Sequence, residues 1–197
     1  MTDPEKRQGW NRRGYLPHLD VPGRAQGVTF RLADSLPVHV VEGWRSELAG
    51  LPDEEHAREL ERRVAGWEDA CHGECVLRDG RCAAVVADAL RFFDGERYHL
   101  IEWCVMPNHV HVLLVMGEGH SLGGTIGSWK RFTANRIHEL LNRAGQLWAP
   151  DYHDRLIRDE AHLARAVHYV RMNPVKAGLC DRPEDWRWGS AWEAGSR

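Results

Sequence analysis

The sequence predicts an α+β fold, in which one antiparallel sheet carries helices on its faces. Strand-like and helix-like segments alternate along the chain. Two apolar strands, Tyr98–Cys104 and Val105–Val115, follow each other with only Met106-Pro107-Asn108 to turn the chain between them. A connection this short joins antiparallel strands, because parallel strands need a long crossover. Proline also restrains its own backbone and that of the preceding residue, which favours a turn or kink there.

The N-terminal third is expected to contribute an arm, one strand and two helices. Residues 1–24 are rich in Gly, Pro and Arg, which is typical of irregular structure. Gly27–Leu32 alternates in polarity and is predicted to be the first strand. Apolar residues recur at helical spacing after Pro37, and a second helix is predicted from Asp53 to about Trp67.

The remaining elements follow from apolar periodicity and helix-end signals. Asp159 is a predicted helix N-cap, and Asn173-Pro174 is expected to end that helix at about Met172. Three tryptophans after Pro183 are expected to clasp the core. The elements in order are a helix at Arg81–Phe93, a helix at Thr125–Arg143 with Ile126, Trp129, Phe132 and Ile137 inward, a strand or loop at Leu147–Ile157, the helix after Asp159, and a tail with Trp186, Trp188 and Trp192.

Length and composition indicate one soluble domain. The 197 residues are 43% hydrophobic and 28% charged, which argues against disorder. We expect an arm at 1–24, a single domain at 25–182 with an acidic helical insertion at about 38–70, and a Trp-rich tail at 183–197. No apolar run is long enough to span a membrane, and the N-terminus lacks a signal-peptide core. A cytoplasmic location is therefore expected.

Charge is divided unevenly between the two halves of the chain. Residues 42–69 carry nine acids against four arginines, whereas residues 120–180 carry nine bases against five acids. The net charge of −3 therefore allows a local contact with a polyanion through the C-terminal half. A solvated mixed-charge surface is the alternative interpretation.

The five cysteines indicate reduced thiols, since their number is odd and no secretion signal accompanies them. A zinc cluster of Cys71, His72, Cys75 and Cys82 is disfavoured by its Cys-x-x-x-Cys spacing.

His109 and His111 are the strongest candidates for chemistry. Alternate side chains of a strand point to the same face, so both imidazoles project together while Val110 projects to the other face. Neighbouring imidazoles can hold a divalent metal ion. The alternative is a pair of surface histidines or of hydrogen-bonded core histidines, but burying them without partners would cost stability.

Tyr169 and Asn173 lie four residues apart in the last predicted helix and therefore share one face. The amide oxygen of Asn173 is a ligand suited to magnesium or manganese, and a tyrosine hydroxyl can be a nucleophile. Alternatively, Tyr169 packs on the sheet and Asn173 only caps the helix.

An ordered set of motifs resembles the single-tyrosine HUH transposases, and in particular the branch associated with REP palindromes (RAYT proteins). The resemblance covers roughly residues 10–192. The segments that carry it are Arg13–Asp20, Val28–Asp34, Val105–Leu114, Trp129–Phe132, Trp148–Arg155, Ile157–Asp159 and Tyr169–Leu179.

The resemblance implies the ferredoxin-like or RRM-like α/β sandwich of HUH nucleases and a role for each candidate residue. His109, His111 and Asn173 would hold Mg²⁺ or Mn²⁺, and Tyr169 would attack single-stranded hairpin DNA to form a 5′-phosphotyrosine link without ATP. The acidic insertion is longer than compact members need and receives no role. Contacts to backbone phosphates are expected from Lys130, Arg131, Arg136, Arg12, Arg13 and Arg24.

Three other functions stay open at this point. The chain could be a domesticated hairpin-binding protein that does not cleave, a histidine-metal phosphoesterase that uses water, or a replication-type or relaxase-type HUH nuclease. Either a monomer or a homodimer is compatible with the sequence.

Overall fold

The computed structural model describes residues 10–13, 16–19, 21 and 23–195. Two short strands, β1 (Trp10–Arg13) and β2 (Leu16–Leu19), pair with each other in antiparallel fashion. The segment predicted to be an irregular arm thus contains a two-stranded ladder. Pairing satisfies the backbone N–H and C=O groups that each strand directs toward the other, a gain that composition does not reveal.

The main sheet has four strands, and every neighbouring pair is antiparallel. The predicted α+β fold with an antiparallel sheet is therefore confirmed. In chain order the strands are β3 (Ala25–Arg31), β4 (Tyr98–Val105), β5 (His109–Met116) and β6 (His153–Leu156), and their spatial order is β4–β5–β3–β6.

Six α-helices flank the sheet within the described residues. The six helices are α1 (Val38–Leu48), α2 (Asp53–Asp69), α3 (Gly80–Arg91), α4 (Leu122–Leu141), α5 (Glu160–Lys176) and α6 (Ser190–Gly195). The first five are confirmed, with shifts at their ends, whereas α6 lies in the tail and was not predicted. Along this part of the chain, none of the helices combines the length and apolarity needed to cross a bilayer.

The turn between β4 and β5 differs from the prediction, because β5 begins at His109 and not at Val105. The Met106 N–H donates to the carbonyl of His109 at 2.9 Å and closes the turn. Val105 belongs to β4, where its N–H donates to the carbonyl of Trp188 at 2.8 Å.

The larger core lies on one face of the sheet, beneath α3 and α4. Val110, Val112 and Leu114 point into it, as the alternation of β5 predicts. The prediction that Phe132 faces inward is wrong, since it is 52% exposed. Thr133 takes the inward place at that turn of α4, and its hydroxyl accepts the indole N–H of Trp148 at 2.9 Å.

Helix α5 lies against the opposite face of the sheet and continues through Pro174. The prediction that Asn173-Pro174 ends this helix is wrong. Proline cannot donate to the preceding turn, yet the carbonyls of Asn173 and Pro174 still accept the N–H groups of Ala177 and Leu179, at 3.0 and 2.9 Å. Asp159 is the N-cap as predicted, accepting the His162 N–H at 2.7 Å. Asn173 is thus an interior residue of α5.

The tryptophan-rich tail packs onto the sheet beside α5. The Trp186 indole donates to the carbonyl of Val105 at 3.1 Å, and Trp188 packs against the larger core. Trp192 is 40% exposed and contributes less to this clasp.

A buried hydroxyl links the sheet to the helices of the larger core. The Tyr98 hydroxyl donates to the carbonyl of Leu90 at 2.6 Å and accepts the Trp129 indole N–H at 3.1 Å. We expect Tyr98→Phe to lower the free energy of unfolding by about 1–3 kcal/mol, because a buried donor and a buried acceptor lose their partner. Urea denaturation followed by circular dichroism measures this change. Phe92→Leu is the control, since Phe92 is 75% exposed. Equal stabilities of Tyr98→Phe and the unsubstituted protein would contradict this assignment.

Candidate active site

Strand β5 presents both predicted imidazoles on the sheet face that α5 covers. The Nε2 atoms of His109 and His111 lie 2.9 Å apart, and their rings are nearly perpendicular. Both side chains are buried, with 0% and 4% exposure. The two imidazoles therefore form a close, buried pair at the boundary between the sheet and α5.

A hydrogen-bond partner at Nδ1 fixes the orientation of each imidazole ring. The Nδ1 atom of His109 lies 2.7 Å from Asn108 Oδ1, and Nδ1 of His111 lies 2.8 Å from Thr29 Oγ1. Asn108 is itself held, because its Nδ2 donates to the carbonyl of His72 at 3.1 Å. With Nδ1 engaged, each imidazole offers Nε2 to a ligand.

Burial keeps both histidines uncharged. It lowers the pKa of His109 well below its ordinary value, and the neighbouring His111 adds to this effect. Burial, together with the positive groups of His153 and Lys176, lowers the pKa of His111 to about 3. The neutral imidazoles are in the form that binds metal ions.

Helix α5 brings Tyr169 and Asn173 to the histidine pair, as the sequence predicts. The ring of Tyr169 lies 5.3 Å from that of His111, measured between centroids. Asn173 is fully buried, and its Nδ2 lies 3.1 Å from Nε2 of His111. Its Oδ1 is buried without a hydrogen-bond donor.

The surroundings of Tyr169 disfavour its ionised form. Burial raises the pKa of Tyr169 to about 12, the carboxylates of Asp69 and Glu68 add to the rise, and hydrogen bonding with Asn173 opposes it. The ammonium of Lys176 lies 4.9 Å from the centroid of the Tyr169 ring. The hydroxyl is therefore protonated at neutral pH in the ion-free site.

The C-terminal end of α2 reaches this site, so the acidic insertion is part of it. Burial raises the pKa of Asp69, while the charge of Lys176 and a hydrogen bond with Asn173 lower it. Burial likewise raises the pKa of Glu68 to about 7, against the opposing charges of Arg31 and His153. Sequence analysis missed both carboxylates, because nothing in the spacing of the insertion relates it to α5.

An ion pair with a buried carboxylate holds α5 against the sheet near the tyrosine. The Arg171 Nε donates to Glu102 at 2.5 Å, and the side chain of Glu102 is 1% exposed. The Ser190 hydroxyl donates to the other oxygen of the same carboxylate. These contacts join α5, β4 and α6 two residues beyond Tyr169.

The donor set fits a divalent metal ion. Two nitrogen ligands at about 2.1 Å from one ion, with a right angle between them, lie about 3.0 Å apart, close to the separation of the two Nε2 atoms. Asn173 brings a side-chain amide to the same place, with Nδ2 at 3.1 Å from Nε2 of His111 and with Oδ1 buried without a donor. Among the described residues, no cluster of three or more His, Cys, Asp or Glu side chains is positioned for a metal. An ion here would accordingly need the amide, and the Cys71–Cys82 region offers no zinc cluster.

The predicted phosphate contacts on α4 lie away from the histidines. Helix α4 lies on the opposite face of the sheet, where Lys130 donates to the carbonyls of Ala149, Pro150 and Asp151. Burial lowers the pKa of Lys130 to about 8.

The other predicted contacts differ in their surroundings. Arg131 is exposed, and Arg136 pairs with Glu139 at 2.7 Å. Arg24 is exposed and donates to the carbonyl of Ile157 at 3.3 Å. The side chains of Arg12 and Arg13 lie outside the described residues.

Of two further groups at the site, one could have been found from the sequence. Asn108 immediately precedes the histidine motif, and a residue next to a ligand is a natural orienting partner. Thr29 faces His111 because β3 and β5 pair in that register. That register depends on strand order, which one sequence does not specify.

Comparison with known proteins confirms the family resemblance. Residues 81–173 match the family described as "Transposase IS200 like". A REP-associated tyrosine transposase of Escherichia coli is 25% identical over 89 residues, which is 45% of this chain and 52% of that protein. A protein of Haemophilus influenzae carrying the same family name is 27% identical over 104 residues, which is 47% of this chain and 58% of that protein. The chain thus spans little more than half the length of these curated relatives.

A solved structure shows the same fold. It is a REP-associated tyrosine transposase bound to a REP hairpin, and it matches with a TM-score of 0.53 and 16% identity. The match covers 94% of this chain and 87% of that chain.

The buried carboxyl of Glu68 gives a pH dependence of stability. Its pKa rises from 4.5 to about 7 on folding, so its contribution is full below pH 4.5 and is lost as the pH rises through about 7. We expect the ionisation of Glu68 alone to lower the free energy of unfolding by up to about 3 kcal/mol across that pH range. Between pH 5 and pH 8, urea unfolding should show a smaller decline in the free energy of unfolding for Glu68→Gln than for the unsubstituted protein.

The control is Glu54→Gln, because the Glu54 side chain is 88% exposed. It should follow the unsubstituted protein at both pH values. Parallel pH profiles for Glu68→Gln and the unsubstituted protein would rule out Glu68 as the source.

Proposed function

We propose that the protein is a metal-dependent single-stranded DNA endonuclease and strand transferase, a transposase that acts on hairpin DNA. The observation that carries this proposal is that the side chains of His109, His111 and Tyr169 lie together. Two neutral imidazoles with converging Nε2 atoms lie beside a tyrosine whose ring is 5.3 Å from His111. The transposase names of the matching family and of both curated relatives support an enzyme of this class.

His109, His111 and the amide oxygen of Asn173 are the proposed ligands of Mg²⁺ or Mn²⁺. The bound ion would supply positive charge that polarises the scissile phosphate. The residues that orient the ligands are Asn108 and Thr29, which hold the two rings through Nδ1.

Tyr169 is the proposed nucleophile. Its Oη forms a bond to phosphorus while the bond from phosphorus to the 3′ oxygen breaks, which leaves a 5′-phosphotyrosine and a free 3′-hydroxyl. The phenolic proton leaves for solvent and the 3′ oxygen acquires one. Because the phosphodiester energy is kept in the tyrosine link, a 3′-hydroxyl can attack it and rejoin DNA without ATP.

Hairpin DNA is the proposed substrate, by likeness to the solved relative that binds a REP hairpin. Arg171 and Lys176 are exposed on α5 near Tyr169 and could contact phosphates there. The exposed Arg131 and Arg136 lie on the far face of the sheet and could contact only a distal part of a hairpin. Lys130 is already engaged by carbonyl groups.

Covalent capture tests the proposal. Labelled single-stranded hairpin DNA and Mn²⁺ should give a protein–DNA adduct on a denaturing gel. We expect Tyr169→Phe to abolish the adduct, because it lacks the attacking oxygen, and a chelator or His109→Ala to reduce it at least about a hundredfold. Tyr152→Phe, which removes a phenolic hydroxyl elsewhere, should retain it.

The alternatives give different results in the same experiment. Cleavage that persists in Tyr169→Phe would indicate a phosphoesterase that uses water. Hairpin binding without any cleavage by the unsubstituted protein would indicate a binding protein.

The rate of adduct formation is expected to rise with pH. Since the pKa of Tyr169 is raised to about 12, the ionised fraction grows about tenfold per pH unit through pH 6–9, unless another step limits the rate. The imidazoles are already neutral and should add no inflection near pH 6.5. Single-turnover rates over this range measure the dependence, with hairpin affinity measured in parallel. A rate that is independent of pH would contradict a deprotonated tyrosine in the rate-limiting step.

A further inference from the structure

Lys176 is the last residue of α5, and its ammonium group lies beside the proposed nucleophile. The Nζ atom is 4.9 Å from the centroid of the Tyr169 ring. The centroid of the His111 ring lies 5.3 Å from that of the same tyrosine. Tyr169 therefore has both a proposed metal ligand and a lysine as neighbours of its ring.

The geometry of α5 produces this arrangement. Seven residues along an α-helix, a side chain returns to within about 20° of its starting direction. Lys176 is seven residues after Tyr169 and Asn173 is four residues after it, so the three side chains project from one face. The alignment requires the helix to continue past Pro174, as its backbone hydrogen bonds do. A helix that ended at Met172 would leave Lys176 with no fixed relation to the tyrosine.

The Lys176 ammonium is available to an anion. The residue is exposed. Along the described part of the chain, no hydrogen bond or ion pair engages its Nζ, which instead lies over the Tyr169 ring. A cation over an aromatic ring at an exposed site is held only weakly. The flexible four-carbon stem of a lysine also allows its charge to follow a ligand.

Other basic side chains of the two central helices are already engaged. Arg171 donates to the buried carboxylate of Glu102 at 2.5 Å. It is only two residues from Tyr169, so it projects from a different side of α5. Lys130 lies on the far face of the sheet, where three backbone carbonyls accept its hydrogen bonds. Lys176 is thus the cation that is best placed to meet a phosphate at the tyrosine.

The acidic end of α2 makes a cation favourable at this position. The carboxyl groups of Asp69 and Glu68 oppose negative charge on Tyr169, which contributes to its raised pKa. A phosphodiester attacked by Tyr169 would bring further negative charge to the same place. A neighbouring ammonium group would offset both contributions.

We propose that Lys176 is a catalytic residue of the proposed reaction, whose ammonium group binds a nonbridging oxygen of the scissile phosphate while Tyr169 attacks. This inference rests on the proposed function, since it concerns the substrate of that reaction. A cation already in place where charge develops stabilises the transition state. Lys176 keeps its proton, so the bonds that form and break are unchanged. The segment that matches the transposase family ends at residue 173, and the role is assigned from the contacts of this chain.

Single-turnover formation of the protein–DNA adduct tests the inference. With saturating labelled hairpin DNA and Mn²⁺, we expect Lys176→Gln to lower the rate about a hundredfold, as the loss of one charge-stabilising donor does. Lys176→Arg keeps the positive charge and should retain most of the rate. Arg58→Gln is the control, because Arg58 is 79% exposed near the start of α2, and it should react like the unsubstituted protein.

An uncharged substrate separates catalysis from an effect on structure. A methylphosphonate at the cleaved position replaces one charged nonbridging oxygen with a methyl group, which leaves little negative charge for the ammonium group to stabilise. On the faster-reacting diastereomer, Lys176→Gln should react nearly as fast as the unsubstituted protein. A lysine that only stabilises the C-terminal end of α5 through the helix dipole would affect both substrates equally. Urea midpoints of the variants establish that they are folded.

Three results would overturn the inference and leave the proposed function intact. They are an unchanged phosphodiester rate in Lys176→Gln, an equal loss of rate on both substrates, and weaker binding of Mn²⁺ by DNA-free Lys176→Gln in a calorimetric titration. The last result would indicate a disturbed metal site, because removal of a positive charge does not by itself weaken the binding of a cation. Absence of an adduct with the unsubstituted protein would remove the proposed function together with this inference.

Discussion

The candidate site depends on the burial of two uncharged imidazoles on the central strand β5. The pairing of β5 with β3 and β4 places His109 and His111 on one face and the valines between and beyond them in the larger core. A single-residue slip of this register would exchange the two faces. Packing of Val110 and Val112 beneath α3 and α4 therefore fixes where the histidines point.

A second constraint is the path of α5 over that face. Since the helix continues past Pro174, Asn173 remains one full turn beyond Tyr169 and both reach the imidazoles. The ion pair between Arg171 and the buried carboxylate of Glu102 fixes the rotation of the helix. The position of Tyr169 therefore depends on how the whole of α5 packs against the sheet.

Much of this arrangement was predictable from local patterns. Alternation in β5 predicted the shared face of the histidines, and the four-residue interval predicted that Tyr169 and Asn173 stack. The contributions of Glu68 and Asp69 were not predictable, because α2 meets α5 through tertiary packing that leaves no periodic signal. The exposure of Phe132 was missed because apolar character was taken to mean burial. The course of α5 was missed because a proline was taken to end a helix, although the later backbone bonds continue past it.

The last helix closes the edge of β4. The Ser190 hydroxyl accepts the Trp103 N–H at 3.0 Å and reaches the carboxylate that also binds Arg171. During synthesis on a ribosome, β4 therefore lacks a partner for this N–H, and α5 lacks part of its anchor, until residue 190 has emerged. A nascent chain would carry both histidines and the tyrosine before this anchor exists, so the candidate site is completed only after residue 190 has been added.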